Sequence, residues 1–281
     1  MKKTILITGA SSGIGKETVK KFAAEGWNVI ATMRSPEKEN ELTSTENILI
    51  TRLDVKDTAS ITSSVEAGIK RFGKIDAVVN NAGFGLLGLF EAMNADQIRE
   101  QFEVNVFGLM NVMRVVLPHF RSNENGLIIN ISSGAGLHTL PLLSTYNASK
   151  YALEGFSEAV SYELSSQNIK VKIVEPGAIE TNFAKRSFEQ YAYDPELTGY
   201  ETFNAAVGKM LETMMSETAT AADVADVIYE AATDGTDRVR YLAGTENFKK
   251  RMADSRQLSD QQYIDYIKTE YGQYVPASKT S

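Results

Sequence analysis

"TILITGASSGIGKETVKKFAAEG", Thr4 to Gly26, passes from a short apolar stretch of strand type through a Gly/Ser turn into a pattern of helix type. Gly9, Gly13 and Gly15 stand in that turn, with Ser11, Ser12 and Ile14 between them. Glycines at such a junction let the backbone approach a ligand closely, and the free N–H groups of a helix start suit a pyrophosphate. The spacing is G-x-x-x-G-x-G rather than G-x-G-x-x-G, so the generic dinucleotide fingerprint is not strictly met.

Similar apolar runs recur along the chain: "TILIT" at Thr4, "NVIAT" at Asn28, "NILITRLDV" at Asn47, "DAVVN" at Asp76, "GLIINIS" at Gly126, "VKIVEP" at Val171 and "RVRYLAG" at Arg238. They are continuous more often than alternating, which suits strands covered on both faces. Helical patterns separate them. The expectation is an α/β fold, a doubly wound (Rossmann) parallel sheet of about seven strands with helices on both faces. No linker or repeat divides the chain, so residues 1–281 read as a single Rossmann-type catalytic domain.

After "DAVVN" one helical stripe is expected through Ile98, Phe102, Leu109, Val112, Val116 and Phe120, with Asn105 on it. A polar amide on an apolar stripe needs a partner. Past Thr181 the pattern loosens, and residues 182–218 read as a substrate lid offering Phe183, Phe188, Tyr191, Tyr193, Phe203, Met210 and Met214. Thr220 and Asp223 form a capping-box-like helix start. In the C-terminal extension, residues 245–281, Ser259 and Gln262 open a helix whose stripe is Tyr263, Ile267, Tyr271 and Tyr274.

Composition narrows the function. The chain has 281 residues, 43% of them hydrophobic, enough for a sizeable core. Lys+Arg 29 against Asp+Glu 36 gives 29 − 36 = −7 without a long basic run, so no nucleic-acid or membrane partner is expected. There are no cysteines, which removes thiol chemistry and fits a cytoplasmic setting. His119 and His138 are the two histidines, too few for a His-based metal cage, and no metal is expected.

"STYNASKYALEGF", Ser144 to Phe156, sets Tyr146 and Lys150 four apart on one helix face. A free phenol has a pKa of about 10, so acid–base work near neutrality asks for a drop of roughly 2 to 3 units, about 3 to 4 kcal/mol. An ammonium about 4 Å away contributes about 4 kcal/mol at an effective dielectric of roughly 20. One lysine is enough in principle.

"TGASSGIG", "NNAG" at Asn80 to Gly83, "NISS" at Asn130 to Ser133, Tyr146-x-x-x-Lys150 and "PG" at Pro176-Gly177 stand in the order found in the short-chain dehydrogenase/reductase family. The chain resembles that family's short single-domain branch from Thr4 to Thr181, and "NNAGFGLLGLFE" resembles its hydroxysteroid and retinol dehydrogenase-like members. The resemblance implies catalytic roles for Asn105, Ser133, Tyr146 and Lys150: Tyr146 as general acid, Ser133 on the substrate oxygen, Lys150 beside the nicotinamide ribose and Asn105 in a proton relay. It implies cofactor contacts from the glycine turn (Gly9, Ser11, Ser12, Gly13, Ile14, Gly15), from Asp54 and Val55 at the adenine, from Asn81, Ala82 and Gly83 at the ribose, and from Pro176, Gly177, Ile179 and Thr181 near the nicotinamide.

Where NAD-preferring relatives carry Asp this chain has Met33, followed by Arg34, and an arginine accommodates the 2′-phosphate of NADP. The expectation is an NADP(H)-dependent carbonyl reductase or alcohol dehydrogenase acting on a bulky apolar or aryl ketone or secondary alcohol. A homodimer or homotetramer is implied through the helix after Lys150, where Ala152, Gly155 and Ala159 allow close approach, and the helix bearing Asn105. Two other readings stay open: a non-catalytic NADP(H)-binding sensor, disfavoured because Tyr146 and Lys150 are both kept, and a sugar-nucleotide epimerase or dehydratase, disfavoured by the glycine spacing and by "NNAG".

Overall fold

A computed structural model describes residues 2–189 and 191–276. The seven expected strands form one parallel sheet: β1 (Thr4–Ile7), β2 (Asn28–Met33), β3 (Ile48–Arg52), β4 (Ala77–Asn80), β5 (Gly126–Ile131), β6 (Ile169–Pro176) and, after two short strands given below, β9 (Arg240–Ala243), in the order β3-β2-β1-β4-β5-β6-β9. Ile5 pairs with Val29 on one side and with Ala77 on the other. The chain winds outward from β1 to β3 and then returns to β4, so the order reverses between β1 and β4. A crevice beyond the strand C-termini at such a reversal is where ligands bind in open α/β sheets.

Alternation along each buried strand feeds two cores. Ile5 and Ile7 pack with Phe22 of α1 (Gly13–Ala24) and with Val224 and Ile228 of α8 (Ala221–Thr233). Leu6 points the other way, into a cluster with Ile61 and Val65 of α2 (Thr58–Phe72), Val112 and Val116 of α4 (Gly108–Ser122) and Leu153 of α5 (Ser144–Ser165). Both faces of the sheet are covered, which explains why the strands read as continuous apolar runs.

The single helix expected after β4 is two. α3 (Ala95–Phe102) and α4 are joined by a π-helical turn, Glu103–Phe107, with Asn105 at its centre. Asn105 is what the extra residue of the π turn serves: its amide clasps the backbone of Phe84, outside the helix.

The segment after β6 is more ordered than a loose lid. It holds β7 (Ile179–Glu180), α6 (Asn182–Glu189), α7 (Glu201–Met214) and β8 (Ala219–Thr220), which pairs with β7. Ala206, Val207 and Met210 of α7 are fully buried, so Met210 is core rather than lining. Thr220 and Asp223 make the expected capping box of α8. The C-terminal region folds into α9 (Glu246–Ser255) and α10 (Asp260–Gly272), the latter opened by the Ser259–Gln262 capping box. α10 docks on α7, with Tyr271 edge-on to Phe203 at 5.5 Å and Tyr274 Oη 3.0 Å from Thr213 Oγ1. The side chain of Phe188 and residues 277–281 lie outside the described residues. Among the described residues no helix is long and apolar enough to cross a membrane.

Candidate active site

A cavity of about 970 Å³ lies over the strand C-termini, from the glycine turn to α9 and α10. At the turn, Gly9 and Gly13 take φ of +67° and +55°, left-handed values that favour glycine. A Cβ on Gly9 would come within 2.9 Å of Ala82 Cα, and one on Gly15 within 2.5 Å of Asn81 Nδ2. The turn is therefore pressed against the end of β4. Asn81 holds it there, donating from Nδ2 to the carbonyls of Thr8 (2.9 Å) and Gly9 (3.2 Å). Ser12 caps α1 with extended backbone and no side-chain hydrogen bond, which leaves the first-turn N–H groups to whatever enters the cavity.

Gly9, Ser11, Ser12, Gly13 and Ile14 line the cavity; Gly15 does not, because it sits behind the turn. At the end of β2, Met33 is buried while Arg34 is exposed and lines the cavity. Asp54 forms a local turn, Oδ1 accepting from the Lys56 N–H at 3.0 Å, and Asp57 caps α2. Asp54, Val55, Asn81, Ala82, Gly83, Pro176, Gly177, Ile179 and Thr181 also line the cavity. A glycine cradle no side chain could occupy, free helix-start donors and a cation beside a carboxylate-free strand end fit an elongated phosphate-bearing dinucleotide.

Tyr146 and Lys150 lie in the first turns of α5 and both are buried. The sequence-level picture of a nearby ammonium lowering the phenol does not hold for the chain alone. Lys150 Nζ donates to the Ile131 carbonyl at 2.9 Å and lies 5.8 Å from the centroid of the Tyr146 ring. Burial pushes the phenol up to about 12, a hydrogen bond with Ser133 offsetting part of the rise. Burial also pushes the Lys150 ammonium down to about 8, opposed by the Glu154 carboxylate one turn on. Desolvation disfavours the charged form of each group, and at this depth it outweighs their attraction.

Ser133 lies two residues past β5 and caps the short turn Gly134–Gly136, its Oγ accepting from the Ala135 N–H at 3.1 Å. Its neighbour Ser132 is buried, its Oγ without a hydrogen-bond partner among the described residues, and it stands beside Glu154. Asn105 does not reach the cavity: Oδ1 accepts from the Phe84 N–H (3.0 Å) and Nδ2 donates to the Phe84 carbonyl (2.9 Å) and to Ser149 Oγ (3.2 Å). It locks the segment after β4 to α5 next to Lys150.

The far wall holds residues that sequence reasoning missed. Leu140, Leu143, Leu211, Met215, Met252 and Tyr266 line it, and of the expected lid side chains Phe183 and Met214 do. Phe183 packs on Tyr146 with ring centroids 5.9 Å apart. Tyr193 is 70% exposed and turns away. Phe248 anchors the wall: a Cβ on Gly134, Gly177 or Gly244 would meet its ring within 2.7, 2.6 and 2.8 Å respectively. Three glycines thus form a slot that fastens α9 to the loop of Ser133 and to the end of β6. His138 lines the cavity, with Nε2 2.8 Å from Ser255 Oγ and its ring stacked 4.8 Å from that of Tyr263; burial lowers its pKa. His119 stands elsewhere, accepting the Ile75 N–H at Nε2.

Beneath the site is a buried charge cluster. Arg240 Nε lies 3.2 Å from Glu154 and 3.4 Å from Glu175, and Arg256 lies 3.8 Å from Glu175. Glu175 is wholly buried with neither oxygen hydrogen-bonded among the described residues, and burial pushes its carboxyl up to about 7.

The family described as "short chain dehydrogenase" matches residues 3–192. An uncharacterized oxidoreductase of Schizosaccharomyces pombe is 40% identical over 215 residues, covering 75% of this chain and 88% of that one. Retinol dehydrogenase 8 of Bos taurus is 32% identical over 213 residues, covering 70% and 68%. The solved structure of a short-chain dehydrogenase from Streptomyces avermitilis superposes with a TM-score of 0.78 at 31% identity, covering 97% of this chain and 98% of that one. A match that takes in the sheet, the glycine turn and the Tyr146–Lys150 helix makes this chain an oxidoreductase of the short-chain dehydrogenase/reductase family, whose fold binds a nicotinamide cofactor.

Proposed function

We propose that the protein interconverts a ketone and a secondary alcohol with an apolar or aryl body, using NADP(H). The observation that carries this reading is Tyr146, with Ser133 beside it and Lys150 one turn on, at the floor of a cavity whose far wall is apolar. When bound, the nicotinamide cofactor supplies or accepts the hydride at the substrate carbon. Everything else is asked of the chain. Ser133 Oγ donates to the substrate oxygen and orients it against Tyr146 Oη. In reduction Tyr146 Oη gives its proton to that oxygen; a phenol held near 12 is fully protonated at neutral pH, and an alkoxide is a much stronger base than a phenolate. Lys150, steadied by the Ile131 carbonyl, would hold the nicotinamide ribose and would stabilise the phenolate left behind with its ammonium. Asn105 acts as a positioning residue through Phe84 and Ser149. Phe183 and α7 cover the site and keep water from it, as a lid.

NADP is favoured over NAD by the buried Met33 and the exposed Arg34 at the cavity. A homo-oligomer through α5 belongs to the same proposal, supported by an exposed Gly155, with nothing within 4 Å of a Cβ placed there, and by Tyr162 at 71% exposure. The test is a panel of apolar and aryl ketones assayed with NADPH and NADH in parallel. Turnover with higher kcat/KM for NADPH is expected, and Arg34→Ala should cut that preference by about 10-fold or more. Higher efficiency with NADH would overturn the cofactor assignment, and no turnover of any ketone would overturn the reaction.

A further inference from the structure

Helix α9 presents one stripe to the cavity: Phe248, Arg251, Met252 and Ser255, at i, i+3, i+4 and i+7. Three of these belong on a buried face, and the fourth is an arginine. The other cations of this region are paired: Lys249 with Glu246 (2.9 Å), Lys250 with Asp254 (2.5 Å) and Arg256 with Glu175 (3.8 Å). None of those three lines the cavity. Arg251 does, and among the described residues it has no carboxylate partner. A guanidinium on the inward stripe of a helix, half-buried and with no carboxylate partner among the described residues, is open to an anion that enters the cavity.

It is also held in place. Phe248, wedged in its three-glycine slot, fixes α9, and the Arg251 guanidinium lies 5.9 Å from the Phe248 ring centroid. Arg251 is close enough to Tyr263 and Tyr266 to lower the pKa of both phenols against the burial that raises them. The guanidinium therefore stands beside an aromatic ring on α9, in the side-chain wall of the cavity and within electrostatic reach of two phenols.

We infer that the substrate carries a carboxylate at the end of its apolar body remote from the carbonyl, and that Arg251 binds it. This rests on the oxidoreductase reading above and narrows its substrate class to apolar keto acids and the matching hydroxy acids. A planar guanidinium meets a carboxylate with two parallel hydrogen bonds, strengthened where aromatic walls exclude water. One guanidinium balances one negative charge, which fits a carboxylate better than a dianionic phosphate.

The test uses matched pairs of ketones, each with a terminal carboxylate or its methyl ester, over a series of chain lengths, with the full-length enzyme and NADPH or NADH. For the length that spans the cavity, kcat/KM for the acid is expected to exceed that for the ester by about 10- to 100-fold. That ratio should fall with added salt. Arg251→Met should lower the acid by about that factor more than the ester, and Arg251→Lys should keep an intermediate ratio. A wild-type ratio near one at every length, or a ratio unchanged in Arg251→Met, overturns the inference while leaving the ketone reading intact. If Arg251→Met does not fold, Arg251→Lys and the salt dependence decide, a salt-independent ratio counting against it. Turnover of esters and neutral ketones is the separate check on the underlying reading, since its absence sinks both.

Discussion

The wall of the cavity beside β1 and β4 is made of backbone, and the opposite wall, from α6 to α10, is made of side chains. On the first, Gly9 and Gly13 let the chain turn tightly, Gly15 behind them lets the turn press on Asn81, and Asn81 is spent holding that turn by 2.9 and 3.2 Å hydrogen bonds. On the second, α9 is fastened by a phenylalanine in a slot of glycines from three separate segments, and the lining comes from leucines, methionines and aromatics. A backbone wall recognises what every dinucleotide shares, phosphates and a fixed span. A side-chain wall can be rewritten residue by residue, and under the proposed function it is the wall that would choose a substrate.

Between the walls stands Tyr146, and its removal is the largest expected effect. Tyr146→Phe keeps the ring and its packing on Phe183 while deleting the proton donor, so kcat/KM for ketone reduction should fall by about 10²- to 10⁴-fold with little change in Tm. Cofactor binding, followed by fluorescence of the reduced nicotinamide, should persist. A variant that kept most of its reductase activity would show that neither wall serves a phenol-based proton transfer.

The next pair of substitutions separates the walls. Gly15→Ala pushes a methyl into the Gly9 carbonyl and Asn81 Nδ2, an overpacking that costs about 1–3 kcal/mol and should appear as a weaker cofactor Kd. Phe248→Ala empties the slot of α9, at a cost of about 3–5 kcal/mol, and should appear as a raised KM for ketone with a nearly unchanged cofactor Kd. Either variant shifting both constants equally would mean that the two walls move as one body, and the division between them would fail.

The same contrast explains what the sequence discloses. The sheet was legible because strands buried on both faces leave unbroken apolar runs, and "TGASSGIG", "NNAG" and Tyr146-x-x-x-Lys150 were legible because each job is done within a few consecutive residues. The π turn at Asn105 was not, since a helical stripe continues through one inserted residue with little change in pattern; the misplaced asparagine was its one visible sign. Phe248 and Arg251 were hidden for another reason. Their partners, Gly134, Gly177 and Tyr263, are adjacent only after folding, and no local rule marks a phenylalanine that three distant glycines are waiting for. The charge balance at Tyr146 and Lys150 was misjudged because a pairwise attraction can be read from spacing, whereas burial cannot.

The smallest effect concerns the charge cluster beneath the side-chain wall. Glu175 is tied to Arg240 of β9 and to Arg256 just past α9, yet burial holds its carboxyl up at about 7, Glu154 adding to the rise and the arginines opposing it. The folded state thus keeps this proton more tightly than the unfolded chain. Below the ordinary carboxylate range both states are protonated and no cost arises. Between about 4.5 and 7 the unfolded chain loses its proton first, and stability falls as pH rises, with the loss complete above the folded value. Glu175→Gln should remove that dependence, raising stability at pH 8 and leaving it unchanged near pH 4. The reading is a Tm profile across that range, with amide exchange to localise it. Protection gained in α9 and β9 but not in α1 or β1 would place the pH sensitivity in the side-chain wall alone. A fall in Tm at pH 8 would instead mean that the ion pairs to Arg240 and Arg256 outweigh the cost of burying the carboxylate, and that the substrate-facing wall is held by charge as well as by Phe248.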